Sequence, residues 1–127
     1  MMIDILLATY NGAAFVEEQI RSIMAQTFTQ WRLLVHDDGS TDDTIEIVER
    51  LSEEDARILL IRDEQKHMGV ARHFIHMLQY VEASYCMFCD QDDVWLPRKI
   101  EHTYQCLKNE ENQMGNDKPI VVHTDAK

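Results

Sequence analysis

Tyr85-Cys86-Met87-Phe88-Cys89-Asp90-Gln91-Asp92-Asp93 is the stretch from which the rest of the chain can be read. Its first five residues are almost wholly apolar, as expected of a strand buried on both faces. Carboxylates then arrive together where the strand stops, and in an open parallel sheet that carboxyl end is the edge where ligands bind. Like charges so close raise one another's pKa unless a cation sits among them. Oxygen-only ligands of this kind suit magnesium, manganese or calcium.

Outward from that strand, apolar runs alternate with helical periodicity. A first strand is expected over Ile3 to Ala8, followed by turn chemistry at Tyr10-Asn11-Gly12 and a helix from about Ala14 to Gln26 with Phe15, Ile20, Ile23 and Met24 as its apolar positions. Trp31 to His36 reads as a second strand ending in Asp37-Asp38-Gly39-Ser40, and Thr41 or Asp42 can cap the helix that carries Ile45, Ile47, Val48 and Leu51. A third strand is expected over Arg57 to Arg62, a polar connection over Asp63 to Gly69, and a helix from about Val70 to Val81. Beyond the acidic cluster, Pro97 suits the first turn of a helix to about Asn109. Glu110 to Lys118 is loop-like, and Pro119 to Thr124 is a last strand. This alternation implies an α/β fold, a mainly parallel sheet with helices on both faces and right-handed crossovers.

The 127 residues, 45% of them hydrophobic with four Gly and two Pro, suit one compact domain. With 23 acidic against 12 basic residues the net charge is −11, which repels nucleic acid and anionic membrane surfaces alike. An anionic ligand must therefore be held locally, with help from a metal. No apolar run approaches the roughly 20 residues of a membrane span, and the first strand is too short for a signal sequence. A cytoplasmic location is expected, with the cytoplasmic face of a membrane open to a longer protein. Cys86 and Cys89 lie three apart, on opposite faces of a strand, so they are poorly set to chelate together; with Cys106 they read as free, buried thiols.

A parallel sheet brings Thr9-Tyr10-Asn11, Asp37-Asp38-Gly39-Ser40 and Asp90-Gln91-Asp92-Asp93 to one edge, although they are far apart in sequence. Taken alone, Asp37-Asp38-Gly39-Ser40 reads equally as an ordinary acidic turn. Neither G-x-G-x-x-G nor G-x-x-x-x-G-K-[ST] occurs, so phosphates must be held through a metal. Asp38 can accept from the imide N–H of uracil or thymine, or from ribose hydroxyls, while Asp92 holds a divalent ion bridging a diphosphate.

Five ordered motifs, Ile5-Leu6-Leu7-Ala8-Thr9-Tyr10-Asn11-Gly12, Gln26-Thr27-Phe28, Asp37-Asp38-Gly39-Ser40-Thr41-Asp42, Gly69-Val70-Ala71-Arg72 and Asp90-Gln91-Asp92-Asp93-Val94-Trp95-Leu96-Pro97, closely resemble family 2 glycosyltransferases of the GT-A fold. The last of them looks most like the bacterial rhamnosyltransferase-like branch that builds cell-wall and surface polysaccharides. The resemblance implies a UDP- or dTDP-linked sugar donor, a glycan or lipid-linked glycan acceptor, inversion, and Mn2+ or Mg2+ as cofactor. Thr9 and Tyr10 would line the nucleotide pocket, with Asn11, Asp37, Gly69 and Gln91 in the same donor site. Asp38 would recognise the base, Asp90 the ribose or metal, and Asp92 the metal. Arg72 would offset phosphate charge or is an exposed helix Arg. Asp93 would face the sugar or cap the helix at Pro97, and Trp95 would flank the sugar pocket or anchor the core.

The sequence departs from the family at His67 and His73, where Asn is more usual. His73 and His76 lie three apart on one helix face, a possible metal pair with no third ligand evident, against which stands a surface or packing role. The family's general base and acceptor-binding segment lie downstream of the acidic cluster, past residue 127. Residues 1–127 are thus expected to be the donor-binding part alone, inactive by itself, with its catalytic base unknown and Asp125 in a sugar-contacting or structural role. An edge exposed by truncation would favour self-association into a homo-oligomer. The alternative is a non-catalytic nucleotide- and metal-binding or interaction module of the same fold. A phosphatase or receiver domain is disfavoured, because the first strand ends in Thr9-Tyr10-Asn11 and not in an acid pair.

Overall fold

The computed structural model describes residues 2–89, 94–103 and 105, with the backbone alone of residues 120–123. The chain runs β1 (Ile3–Thr9), α1 (Val16–Met24), β2 (Trp31–Asp37), α2 (Thr44–Glu54), β3 (Ile58–Leu60), α3 (Val70–Leu78), β4 (Tyr85–Cys89) and β5 (Ile120–His123). Residues 99–103 are again helical, just past Pro97. The five strands lie in the order β3-β2-β1-β4-β5, and every pairing is parallel. β1 sits in the middle, with Leu7 opposite both Val35 and Cys89.

The two-residue period of the strands sorts the core into two layers. Ile3, Ile5 and Leu7, Trp31, Leu33 and Val35, and Tyr85, Met87 and Cys89 share one face with Val16, Ile20 and Ile23 of α1 and with Val48 and Leu51 of α2. The alternate residues Leu6, Leu34 and Phe88 meet Met77 and Leu78 of α3 on the other. Helices thus cover both faces, as the β-α alternation implies.

Several boundaries differ from the sequence reading. Phe15 is half exposed, because α1 starts at the buried Val16, two residues after the expected Ala14; the Gly12 carbonyl accepts from both Phe15 and Val16 N–H at 2.9 Å. β3 is shorter than Arg57 to Arg62. Arg57 lies over the Trp31 ring at 3.8 Å, and after Ile61 N–H bonds the Val35 carbonyl the chain turns off towards Asp63. α3 ends at Leu78, three residues short of Val81, where single-turn bonds from Tyr80 and Val81 close it. No helix among the described residues is long and apolar enough to cross a membrane. The acidic cluster Asp90-Gln91-Asp92-Asp93, the loop from Glu110 and Asp125 lie outside the described residues.

Candidate functional site

The order of the strands reverses direction between β1 and β4, and their carboxyl ends meet there at Thr9 and Cys89. Such a reversal leaves a crevice in which open α/β sheets bind ligands. Asp90, Asp92 and Asp93 follow Cys89 directly.

The β1–α1 and β2–α2 connections are stitched together beside this crevice. Asn11 takes a left-handed conformation (φ 50°), its N–H donating to Ser40 Oγ at 2.7 Å while its side-chain oxygen accepts from Thr41 N–H at 2.8 Å. Gly12 N–H donates to Thr44 Oγ1 at 2.9 Å and Ala13 N–H to Asp42 Oδ2 at 3.1 Å. Asp42 also accepts from Thr44 N–H and hydroxyl, closing the turn before α2, but the N-cap is Asp43, whose side chain makes no capping bond, and not Thr41 or Asp42 as expected; the Thr44 hydroxyl is the main reason the Asp42 carboxyl lies below its usual range.

Asp37 organises its own loop, its carboxylate accepting from the Thr9 hydroxyl at 2.7 Å, from Gly39 and Ser40 N–H at 3.0 and 2.7 Å, and from the Ser40 hydroxyl. Thr9 is accordingly buried. Asp38, also buried, accepts from Met68 N–H at 2.8 Å and Gly69 N–H at 3.2 Å, while its backbone bonds Thr9 and His67. An ionised carboxylate has about four lone-pair sites, so these two bonds leave Asp38 capacity for a ligand. Gly39 (φ 100°) has the His67 ring beside it, and a Cβ there would lie 2.7 Å from that ring. Gly69 (φ 78°) starts α3, while Tyr10 and Arg72 are exposed nearby along the chain.

Of the two roles open to Trp95, its burial fits the core anchor: only 3% exposed, it packs in the α1 layer. The structure instead reveals what holds the segment after the acidic cluster. The Gln26 side chain is buried at the end of α1, its amide N–H₂ donating to the Leu96 carbonyl at 2.6 Å and its oxygen accepting from Ile100 N–H at 3.0 Å. Thr27 N–H bonds the Pro97 carbonyl, and Trp95 N–H bonds Ser22 Oγ. Residues 90–93 are therefore bracketed by β4 on one side and by this clasp on the other. Of Gln26-Thr27-Phe28, the first two residues thus fasten residues 96–100 to the end of α1.

A second cluster was not legible beforehand. His36, at the carboxyl end of β2, places Nε2 2.7 Å from Asp63 Oδ1 and Nδ1 2.7 Å from His73 Nε2. His76 Nε2 and the Tyr80 hydroxyl both lie 2.7 Å from Asp63 Oδ2. Burial works to raise the Asp63 pKa, but bonds from His36, His76 and Tyr80 outweigh it and hold the carboxyl well below its usual range. Burial, reinforced by His36, lowers the pKa of His73. The sequence suggested His73 and His76 as a pair without a third ligand. Asp63 and His36 stand next to them, brought there by β2 and the β3–α3 connection. A pocket of about 310 Å³ opens alongside, lined among others by His36, Asp37, Asp63, Lys66 and His67.

The model of the family described as glycosyl transferase family 2 matches residues 4–118. The dTDP-rhamnosyl transferase RfbG of Shigella flexneri is 33% identical over 105 residues, which cover 80% of this chain and 36% of the relative. The UDP-Glc:alpha-D-GlcNAc-diphosphoundecaprenol beta-1,3-glucosyltransferase WfgD of Escherichia coli is 32% identical over 121 residues, 94% of this chain and 47% of the relative. This chain thus spans less than half the length of either. S. aureus TarS 1–349 in complex with UDP superposes with a TM-score of 0.76 at 23% identity, over 86% of this chain and 32% of that one, a likeness of fold alone.

Proposed function

The chain belongs to glycosyl transferase family 2, and we propose that it forms the donor-binding part of an enzyme moving a sugar from a UDP- or dTDP-linked donor to a bacterial surface glycan or lipid-linked glycan, with inversion. The observation that carries this reading is the pair Asp37 and Asp38. They sit beside the β1/β4 crevice, within ion-pair distance of no Lys or Arg among the described residues. One RfbG-like and one WfgD-like relative, acting by name with dTDP-rhamnosyl and UDP-Glc, support a pyrimidine nucleotide.

In this reading Asp38, held in place by Met68 and Gly69 N–H, accepts the imide N–H of the base. The Asp37–Thr9–Ser40 bonds keep the β1 and β2 connections at a fixed separation. Arg72, exposed at the start of α3, offsets diphosphate charge. Asp90, Asp92 and Asp93 form an all-oxygen set whose chemistry fits Mn2+ or Mg2+, and Asp92 with Asp90 would hold that ion. When bound, it stabilises the departing diphosphate. The carboxylate that takes the acceptor's proton as the hydroxyl attacks the anomeric carbon is expected beyond residue 127.

Calorimetric titration of the chain with UDP and with dTDP, each with Mn2+ and with EDTA, tests this, repeated on Asp92→Ala. Binding that needs the ion and is lost in the variant is the expected result. A chain folded by circular dichroism that binds neither nucleotide under any condition would sink the proposal. Binding without transfer, even with downstream sequence restored, would make it a non-catalytic module.

A further inference from the structure

We propose that His36, Asp63 and His76 form a second metal site, for Zn2+ or a similar borderline ion, separate from the acidic cluster. One ligand atom from each lies within 4.8 Å of the other two. They come from three elements: β2, the β3–α3 connection and α3. Two imidazole nitrogens and one carboxylate are a donor set for zinc, cobalt or nickel; hard ions such as Mg2+ prefer oxygen alone. The acidic cluster has the opposite preference, so one chain carries two sites of different taste.

The ligands are pre-arranged in a way an incidental surface cluster is not. The side chains of His36, Asp63 and His76 are 2%, 19% and 18% exposed, so little solvation is left to lose. His36 Nε2 and His76 Nε2 address the two different oxygens of one carboxylate. A tetrahedral ion with ligands about 2.0–2.1 Å away separates them by roughly 3.3 Å. The 2.7 Å contacts of the cluster open by about 0.6 Å to admit it, and the farthest pair of ligand atoms, within 4.8 Å, closes by up to about 1.5 Å.

The surrounding groups also suit a ligand role. A metal-bound imidazole must carry its remaining proton on the other nitrogen, and outer partners normally hold it there. His36 Nδ1 faces His73 Nε2 at 2.7 Å, which accepts that proton. Gln79 Nε2 lies 3.0 Å from His76 Nδ1, and exchanging the amide's nitrogen and oxygen by a flip would put an acceptor there for that proton. Tyr80 and Gln65 N–H donate to Asp63 and fix its plane. The 310 Å³ pocket has His36 and Asp63 on its wall, giving an entry path and room for water in the fourth position. The ion would anchor Asp63, and with it the connection whose Met68 and Gly69 N–H groups hold Asp38.

The test is Co2+ and Zn2+ titration of the 127-residue chain after chelator treatment. One equivalent of Co2+ should give the intense visible bands of a tetrahedral site, be displaced by Zn2+, and be indifferent to excess Mg2+. On the unmutated chain, Co2+ should also shift the His36 and His76 imidazole resonances in NMR spectra. His76→Gln should weaken Zn2+ binding by more than about tenfold, the lower end of what even an outer-shell partner is worth. Asp92→Ala should leave it unchanged. Absence of the visible bands, or imidazole shifts confined to other histidines, would overturn the proposal, as would a folded His76→Gln chain that binds Zn2+ as before. The NMR readout needs no variant, so a misfolded mutant leaves the answer intact.

Discussion

At the amino end of the sheet Asp4 is wholly buried and gripped by Arg32 through two 2.9 Å bonds, with Glu82 and Ala83 N–H donating to the same carboxylate. At the carboxyl end Asp38 is nearly as buried, yet it receives only the backbone donors Met68 and Gly69, with no basic side chain in ion-pair distance among the described residues. Both ends use a carboxylate to gather the backbone of a loop. Among the described residues, only the amino end pairs it with a basic side chain. A buried acid with its cation built in is a bolt, whereas one held by backbone N–H groups alone beside a crevice keeps acceptor capacity, which the proposed function assigns to the nucleotide.

Breaking the bolt should have the largest effect. Asp4→Ala leaves two N–H groups unpaired and Arg32 with only its longer contacts to Glu82 and the Tyr80 carbonyl, and urea denaturation should show a loss of about 3 kcal/mol, with nucleotide affinity unchanged where the chain remains folded. A loss below about 1 kcal/mol would mean that Asp4 is no bolt. Gln26→Ala removes the clasp on residues 96–100 and should cost about 1–3 kcal/mol by the same measurement. Unlike Asp4→Ala, it should also weaken metal-dependent nucleotide binding, because the frame of the acidic cluster loosens.

At the carboxyl end, Asp38→Asn should lower nucleotide affinity about tenfold, or about 1.4 kcal/mol by calorimetry, with a smaller effect on stability. Equal affinity for variant and parent would remove Asp38 from the site and erase the contrast. Gly39→Ala should cost about 1 kcal/mol, since the left-handed backbone and the His67 ring both oppose a Cβ. The smallest response belongs to Cys86. Burial, with Asp4 behind it, pushes its thiol up to about 11. The folded chain keeps this proton where the unfolded chain releases it, so this contribution to stability is full below about pH 8.5. It declines as pH rises towards 11. Alkylation at pH 8 followed by peptide mapping should leave Cys86 unlabelled until denaturant is added.

Patterning made the fold legible because burial on this sheet follows simple periods: Ile3, Ile5 and Leu7 fall on one face and Leu6 on the other. It gave no sign of the polar residues that work from inside. Gln19 and Gln26 have the composition of a wet helix face, yet both are buried. Phe15 is a strong apolar residue on the rim. The convergence of Thr9, Asn11, Asp37 and Asp38 was readable because parallel topology dictates it. The bonds that make Thr9 and Asp37 mutual supports were not, since they depend on rotamers. His36 and Asp63 escaped for a different reason. Neither forms a helical or strand spacing with His76, and only the docking of α3 against β2 creates the group.

The strand order also bears on how the molecule comes to exist. β1 is synthesised before the other four strands and ends in the middle of the sheet, so one flank waits for β2 and the other for β4. Joining β1 to β2 closes residues 10–30, and joining it to β4 closes residues 10–84. Loop-closure entropy makes the longer closure costlier by about 1 kcal/mol. We therefore expect the β1–β2–β3 half to nucleate folding, as early as its emergence from the ribosome, and β4 to dock onto it late. Leu33→Ala should then slow refolding, while Met87→Ala should mainly hasten unfolding. The negative charge that follows β4 would arrive only once a finished cradle is there to receive it.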